Sequence, residues 1–209
     1  MTCAGEKRFE RIPNTVSREQ IYRRLGQTKN TVLTAEITHK TGQYLDQALG
    51  IIRLRGVYRR LKITEKDAQS VRLAQGGEIR SHSLAVFLEQ CEEVLLMAAT
   101  AGNQIVECIQ EATRTGDLSR AAVYDAAASE SVDTALDWLT NYFRYELQRE
   151  NKQLTRLRFS PGYGDLELSV QRMMYELLPL SEFGIRLTEK DMLQPEKSVT
   201  AVAGIREIL

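Results

Sequence analysis

The spacing of hydrophobic residues predicts a chain that mixes helices with strands. Hydrophobic residues recur three and four positions apart, the spacing of a helix, in 17–26, 31–49, 83–91, 103–116, 120–149 and 166–178. Alternating, branched or continuous hydrophobic residues predict strands in 56–63, 70–81, 94–99, 154–159, 184–188 and 198–205. The run from Val94 to Ala99 has no polar residue, so we interpret it as a buried strand.

Local signals support several of these element boundaries. Ser17 and Gln20 have the spacing of a capping box, which predicts a helix that begins just after Ser17. Gly76 and Gly77 lie between alternating hydrophobic residues and predict a hairpin turn. Pro179 should end the last helix, because proline cannot continue the helical hydrogen bonding.

Nothing in the sequence divides the chain into separate domains. Repeats, low-complexity tracts and flexible linkers are absent from the 209 residues. We therefore expect one mixed α/β (α+β) domain over 1–209, with a helical N-terminal segment, 1–50, and a mixed core, 51–209. With 43% hydrophobic residues, the chain can bury a sizeable core.

The balance of charges argues against two classes of partner. Lys and Arg number 28, as do Asp and Glu, so the formal net charge is zero and the signs are mixed along the chain. A broad basic face for nucleic acid or for anionic lipid is therefore not expected. The hydrophobic runs are also too short to cross a bilayer, and the charged N-terminus does not resemble a secretory signal. We expect a cytoplasmic protein that binds neither nucleic acid nor membrane.

Cysteine and histidine give little indication of metal or disulfide chemistry. Cys3, Cys91 and Cys108 are an odd number without CxxC spacing, and His39 and His82 lie far apart in sequence. The sequence therefore predicts neither a disulfide framework nor a metal site.

The densest candidate for chemistry is the sequence RFSPGYGD, which begins at Arg158. Pro161 fixes its own φ and favours an extended backbone at Ser160, while Gly162 allows a positive φ and close approach of a ligand. Arg158 offers a planar fork of donors for a carboxylate, and Tyr163 offers an aromatic face and a hydroxyl. The alternative is a plain strand-to-helix turn in which Arg158 pairs with a surface acid.

A second candidate is the pair of carboxylates on the long predicted helix. Asp133 and Asp137 are four residues apart, so they share one face and repel each other by roughly 0.2–0.5 kcal/mol. A nearby positive charge would relieve this repulsion. The alternative is an ordinary solvated helix face.

Four ordered motifs resemble one known family. They are EEVLLMAATAG at 92–102, the alanine-rich stretch 125–137, Arg-x-x-Pro-Gly-Tyr at 158–163, and the tail GIRLTE at 184–189 with PxKSV at 195–199. Together they resemble the activation domain of cobalamin-dependent methionine synthase, which occurs as the C-terminal part of that enzyme or as a separate short chain. The similarity covers much of the sequence and favours the stand-alone form.

The resemblance implies a fold and a function. The fold would be a C-shaped domain with a twisted antiparallel sheet flanked by helices, which binds S-adenosylmethionine (AdoMet) in a shallow groove. The function would be reactivation of a cobalamin-binding methionine synthase chain that lacks this domain. There, one electron from a flavodoxin-type donor and the methyl group of AdoMet would restore methylcobalamin from inactive cob(II)alamin. None of this chain's side chains need act as acid or base.

The resemblance also implies a set of binding residues. Carried over position by position, they are Asp133, Asp137, Arg158, Ser160, Pro161, Gly162 and Tyr163. Arg158 would hold the methionyl carboxylate, and Asp137 would face the cationic end of the ligand. The family's aromatic residue on the last strand aligns near Ala203, so a tyrosine is missing there.

Two other functions compete with reactivation. The first is a non-catalytic module that docks on a corrinoid protein and gates its cofactor, and the missing tyrosine favours it. The second is an unrelated methyltransferase with the same ligand. It is disfavoured because Gly76 and Gly77 are not followed by a helix start, as a nucleotide-binding loop would be.

Overall fold

The computed structural model describes residues 5–27 and 31–208. The helices in this part of the chain are α1 (Arg18–Arg24), α2 (Ala35–Ile51), α3 (His82–Phe87), α4 (Asn103–Arg114), α5 (Leu118–Leu147), α6 (Val170–Leu177) and a 3₁₀ helix (Leu180–Phe183). The strands are β1 (Glu6–Phe9), β2 (Arg55–Lys66), β3 (Ser70–Leu73), β4 (Glu78–Arg80), β5 (Glu93–Thr100), β6 (Lys152–Leu154), β7 (Arg186–Leu187), β8 (Leu193–Gln194) and β9 (Ser198–Glu207).

Seven of these strands form one antiparallel sheet: six follow the order β4-β3-β2-β5-β9-β6, and β1 pairs with β2 outside this order. One edge of β2 pairs with β5, and the other edge is shared by β1 and β3. β7 and β8 form a separate two-stranded ribbon. The expected mixed α/β fold, an antiparallel sheet flanked by helices, is confirmed.

Two hydrophobic layers cover the two faces of the sheet. Helices α1, α2, α4 and α5 contribute to one layer, and α3, α6 and the 3₁₀ helix contribute to the other. β5 lies between them with every residue buried. Its side chains alternate, so Leu95 and Met97 enter the first layer while Val94 and Leu96 enter the second. This position explains why the segment has no polar alternation.

The long helix α5 packs against the middle of the sheet, and Gly56 on β2 permits this close approach. A Cβ atom at Gly56 would lie 2.9 Å from the Ala98 carbonyl oxygen, 2.9 Å from Ile12 Cδ1 and 3.0 Å from Leu139 Cδ1. Because Leu139 belongs to α5, any larger residue would push the helix away from the sheet. The glycine therefore helps to set the position of α5, which carries part of the candidate site.

Most predicted elements are present, and several differ in extent; three differences affect the sheet or the region near Arg158. The N-terminal segment 1–50 contributes β1 as well as helices, because residues 6–9 pair with β2 despite their charges. The extended segment 154–159 is regular only up to Leu154, and Phe159 then makes an isolated bridge with Val202. The last α-helix begins at Val170, because the residues before it form turns.

None of the helices within 5–27 and 31–208 is long and apolar enough to cross a membrane. Cys91 is buried and Cys108 is half-buried, and both are free thiols. Cys3 lies outside the described residues.

Candidate functional site

The segment that carries Arg158 runs beside the free edge of β9. The Thr155 amide donates to the Gly204 carbonyl at 2.8 Å, and Phe159 and Val202 exchange two backbone hydrogen bonds of 2.8 and 2.7 Å. The residues between these two attachment points are not paired with β9 and face α5 instead. The segment is thus held to β9 at both ends, and the side chains between these two points line the space beside α5.

The turn that follows has the backbone that its glycines predict. Gly162 has φ +90° and Gly164 has φ +61°, both in the region that favours glycine. The Gly162 amide donates to the Leu166 carbonyl at 2.8 Å, and the Leu166 amide donates to the Tyr163 carbonyl at 3.1 Å. Pro161 is buried beneath the turn, whereas Tyr163 projects into solvent with 73% of its surface exposed.

Asp165 anchors this turn to α3. One carboxylate oxygen accepts from the Ser81 hydroxyl at 2.8 Å, and the other accepts from the Ser83 amide at 3.1 Å. The Ser81 hydrogen bond is the main reason that the pKa of Asp165 falls to about 2. Ser81 also caps α3 by accepting from the Leu84 amide. The turn and the helix therefore share one hydrogen-bond network.

A cavity of about 600 Å³ lies between this segment, α5 and β9. Its lining residues are Asp133, Leu136, Asp137, Arg156, Leu157, Arg158, Phe159, Ser160, Tyr163 and Val199. Its walls combine two guanidinium and two carboxylate groups with hydrophobic and aromatic side chains. Such a lining suits a small molecule that has charged groups at one end and a hydrophobic or aromatic body.

Arg158 and Asp137 form an ion pair inside this cavity. Arg158 Nη1 donates to Asp137 Oδ1 at 2.6 Å, and both side chains remain partly exposed. The predicted carboxylate-binding arginine thus already holds a carboxylate of the protein. A ligand carboxylate would have to replace Asp137, which would leave Asp137 free to face a positive charge of the same ligand.

Asp133 lies one turn earlier on α5 and is connected to a different arginine. Arg24 on α1 donates to Glu130 at 2.7 Å and lies 3.6 Å from Asp133 Oδ2. Burial raises the pKa of Asp133, while the positive charge of Arg24 acts in the opposite direction. The two aspartates therefore share a cavity but have different cationic partners.

The comparisons with known proteins give one informative result. No family model and no curated protein matches the sequence. A solved structure described as "Crystal Structure of the MetH Reactivation Domain bound to AdoHcy" matches with a TM-score of 0.64 at 17% identity. The alignment covers 87% of this chain and 68% of that chain. The chain has the fold of the MetH reactivation domain. At 17% identity this comparison establishes a shared fold, which is the fold that the sequence motifs predicted.

Within the reactivation-domain fold, the seven predicted binding residues fall into two groups. Five of them line one cavity: Asp133, Asp137, Arg158, Ser160 and Tyr163. The other two, Pro161 and Gly162, shape the turn and are not among the lining residues.

The residue that β9 contributes to the cavity differs from the expected position. Ala203 is 1% exposed, pairs with Leu95 and lies in the hydrophobic layer beneath α5. The cavity wall is formed instead by Val199, four residues earlier on the same strand.

Sequence reasoning missed five cavity residues: Leu136, Arg156, Leu157, Phe159 and Val199. Three of them, Arg156, Leu157 and Phe159, lie within two residues of Arg158. Because this extended segment is not paired, consecutive side chains line the cavity, which strand alternation alone does not suggest. Arg156 has no ion-pair or hydrogen-bond partner among the described residues, so the cavity holds a second guanidinium that is free. The part of the chain that the structure describes contains no group of three or more His, Cys, Asp or Glu arranged to hold a metal ion.

Proposed function

We propose that this chain binds AdoMet in the cavity between Asp137 and Tyr163 and presents its methyl group to cobalamin on a partner protein. The proposed partner is a cobalamin-binding methionine synthase chain that lacks an activation domain, and the proposed electron donor is of the flavodoxin type. The observation that carries the proposal is the position of Arg158 and Asp137 in one cavity of a reactivation-domain fold.

The chemistry of the lining supports this ligand class. AdoMet has a carboxylate, an ammonium, a sulfonium and an adenine ring. Arg158 can exchange Asp137 for the ligand carboxylate, and the released Asp137 can then face a positive charge of the ligand. Phe159 and Tyr163 offer aromatic surface. AdoHcy, which the structural neighbour holds, is what AdoMet becomes when its methyl group is transferred.

The role of this chain would be to hold and orient the methyl donor. The corrin would supply the bond-forming chemistry: with one electron from the reductant, cob(II)alamin and AdoMet would give methylcobalamin and AdoHcy. No proton transfer is needed in this balance. The contribution of the lining residues is therefore proximity and orientation, which can lower a barrier by several kcal/mol, roughly 7–11 in the best cases.

Calorimetric titration with AdoMet tests the binding step. Arg158→Gln should weaken binding by about tenfold or more, because one charge-assisted hydrogen bond contributes about 1.5–3 kcal/mol. Arg158→Lys should lose part of that affinity, because lysine keeps the charge but lacks the planar fork. Arg156→Gln is the matched variant from the same wall, and we expect a smaller loss for it.

The two arginine variants test the role of Arg158 separately from the identity of the ligand. A larger loss of affinity for Arg156→Gln than for Arg158→Gln would contradict the proposal that Arg158 holds the carboxylate, but AdoMet would remain the proposed ligand. Absence of heat for the wild-type chain, alone and with a cobalamin-loaded methionine synthase fragment, would remove the methyl-donor function.

The ion pair itself favours a second candidate function. Because Asp137 already occupies Arg158, the cavity can be a structural feature of a module that docks on a corrinoid protein and controls access to its cofactor. In that case Arg158→Ala would leave partner binding unchanged and the wild-type chain would not bind AdoMet. Co-purification with a corrinoid protein combined with these two results would support docking over methyl donation.

A further inference from the structure

A second and larger cavity, about 1020 Å³, lies between α6, the 3₁₀ helix and the β7–β8 ribbon. It is separate from the AdoMet cavity, with which it shares no lining residue. The polar and charged side chains in its wall include Asn103, Arg172, Glu176, Ser181, Arg186 and Gln194. The proposed function uses none of them.

One of its two arginines is held in place by the protein. Arg172 Nη2 donates to Asp191 Oδ1 at 2.6 Å. The Asp191 carbonyl accepts from the buried side-chain amide of Gln171 at 2.8 Å, and the Oε1 atom of Gln171 accepts from the Thr200 hydroxyl on β9 at 3.0 Å. Arg172 is thus neutralised and fixed, and it contributes to the cavity wall without leaving an unbalanced charge.

The other charged side chains of the wall are not neutralised. Arg186 and Gln194 are paired across the β7–β8 ribbon, so both side chains emerge on one face of it. Glu176 lies on α6, one turn after Arg172. Within the described ranges, neither Arg186 nor Glu176 has an ion-pair or hydrogen-bond partner, although both line the same cavity. The wall therefore presents one unpaired cation and one unpaired anion that do not contact each other.

We propose that this cavity binds a zwitterionic amino acid, with its carboxylate on Arg186 and its ammonium on Glu176. The charge balance decides the ligand class. A simple anion would meet Glu176 and a simple cation would meet Arg186, whereas a zwitterion satisfies both. Asn103, Ser181 and Gln194 supply further hydrogen-bond donors and acceptors, and the volume leaves room for a side chain.

The affinity should be modest. Arg186 and Glu176 are exposed, so solvent screens both contacts. Each ion pair at such a site strengthens binding by up to about fivefold, so even with the neighbouring hydrogen bonds we expect a Kd of roughly 1 mM or weaker.

The test is a ligand-observed NMR screen of the full chain with each common L-α-amino acid, followed by titration of the best binder. Its N-acetyl derivative and its methyl ester should each bind about fivefold more weakly or not at all, because each lacks one charge. Arg186→Gln and Glu176→Gln should cause similar losses. Arg80→Gln is the matched control, because Arg80 is exposed and pairs with Glu78 outside this cavity.

Arg158→Gln separates this proposal from the AdoMet site, since a free amino acid resembles one end of AdoMet. Amino-acid binding that persists in Arg158→Gln and is lost in Arg186→Gln supports the second site. Binding that is lost in Arg158→Gln but kept in Arg186→Gln would overturn it, and so would no binding by any amino acid. Neither overturning result depends on whether AdoMet binds.

Discussion

The ion pair between Arg158 and Asp137 joins two parts of the chain that lie 21 residues apart in sequence. The extended segment before the turn at 160–165 supplies the arginine, and α5 supplies the aspartate. Both groups are partly exposed, so the pair should contribute only about 0–1 kcal/mol to stability. Substitutions here are therefore informative about ligand binding, because they should leave the fold intact.

Asp137→Asn tests whether this aspartate faces the extra positive charge of AdoMet. The sulfonium of AdoMet is absent from AdoHcy, and one exposed charge pair is worth about 0.5–1 kcal/mol. We expect the ratio of AdoMet affinity to AdoHcy affinity to fall by about threefold, measured by parallel calorimetric titrations. Glu130→Gln is the matched control, because Glu130 is an acid of α5 that pairs with Arg24 and does not line the cavity. An unchanged ratio in Asp137→Asn would mean that Asp137 does not face the sulfonium.

At the scale of elements, the position of the turn at 160–165 depends on its attachment to α3 through Asp165. Removing this carboxylate breaks hydrogen bonds to Ser81 and Ser83 without touching the cavity lining. Asp165 is therefore a positioning residue, in the sense that its effect on a ligand must pass through the turn.

Asp165→Ala should weaken AdoMet binding by about three- to tenfold, because the turn loses its fixed position. Binding enthalpy and affinity by calorimetry provide the measurement. Asp67→Ala is a suitable control, since Asp67 also accepts hydrogen bonds within a turn, at Gln69 and Ser70, but lies outside the cavity. Equal effects of the two variants would indicate general destabilisation and not positioning.

A second link between elements is the charged cluster around Glu93 on β5. Arg60 on β2 and Lys152 on β6 both donate to this nearly buried carboxylate, and Arg60 also pairs with Glu150 at 2.7 Å. Hydrogen bonds from Arg60 are the main reason that the pKa of Glu93 falls from 4.5 to about 2. Between these two values the unfolded chain binds more protons than the folded chain. The stabilisation is therefore complete above pH 4.5 and is lost as the pH falls towards 2.

Glu93→Gln should lower the free energy of unfolding by about 2–3 kcal/mol at neutral pH. The deficit should shrink as the pH drops below 4.5, because the wild-type carboxylate is then protonated too. Urea unfolding at a series of pH values measures it. Glu92→Gln is the adjacent control, since Glu92 is exposed and forms no ion pair among the described residues. A deficit independent of pH would show that the charge of Glu93 is not what stabilises the sheet.

The sequence predicted elements where one physical signal dominated and missed them where signals conflicted. The continuous run of β5 and the capping box of α1 were sufficient on their own. β1 was missed because three of its four residues are charged. Its stabilising contacts, pairing with β2 and packing of Phe9 on Trp138 and Tyr142 of α5, are distant in sequence.

The candidate site was predictable to a similar extent. The motif located Arg158 and its turn, and helical spacing located Asp133 and Asp137. That these residues meet depends on packing between α5 and β9, which periodicity does not encode. For the same reason Val199, a hydrophobic residue in a strand, carried no sign that it lines a cavity.

At the scale of the whole molecule, one sheet separates two layers that carry different cavities. The cavity that we propose binds AdoMet lies beside α5, whereas the second cavity lies beside α6 and the β7–β8 ribbon. The distance between α5 and the sheet is limited by Gly56. This glycine therefore couples the packing of the core to the shape of the AdoMet cavity.

Gly56→Ala should destabilise the protein by about 1–3 kcal/mol, because the added methyl group would overlap the Ala98 carbonyl and the side chains of Ile12 and Leu139. Thermal or denaturant unfolding measures the change. Gly50→Ala is the control, since a Cβ at Gly50 meets no atom within 4 Å. A Gly56→Ala variant as stable as the wild type would show that α5 can shift without cost.

The charges around the AdoMet cavity have a consequence for the rate at which a ligand arrives. Asp133 and Asp137 balance Arg156 and Arg158, so the entrance presents almost no net field at a distance. An approaching AdoMet molecule, which carries one net positive charge, would feel little long-range attraction from this balanced set of charges, and its encounter would be governed by diffusion and by the opening of one salt bridge. The association rate constant should then vary little with ionic strength, in contrast to proteins that steer their ligands electrostatically.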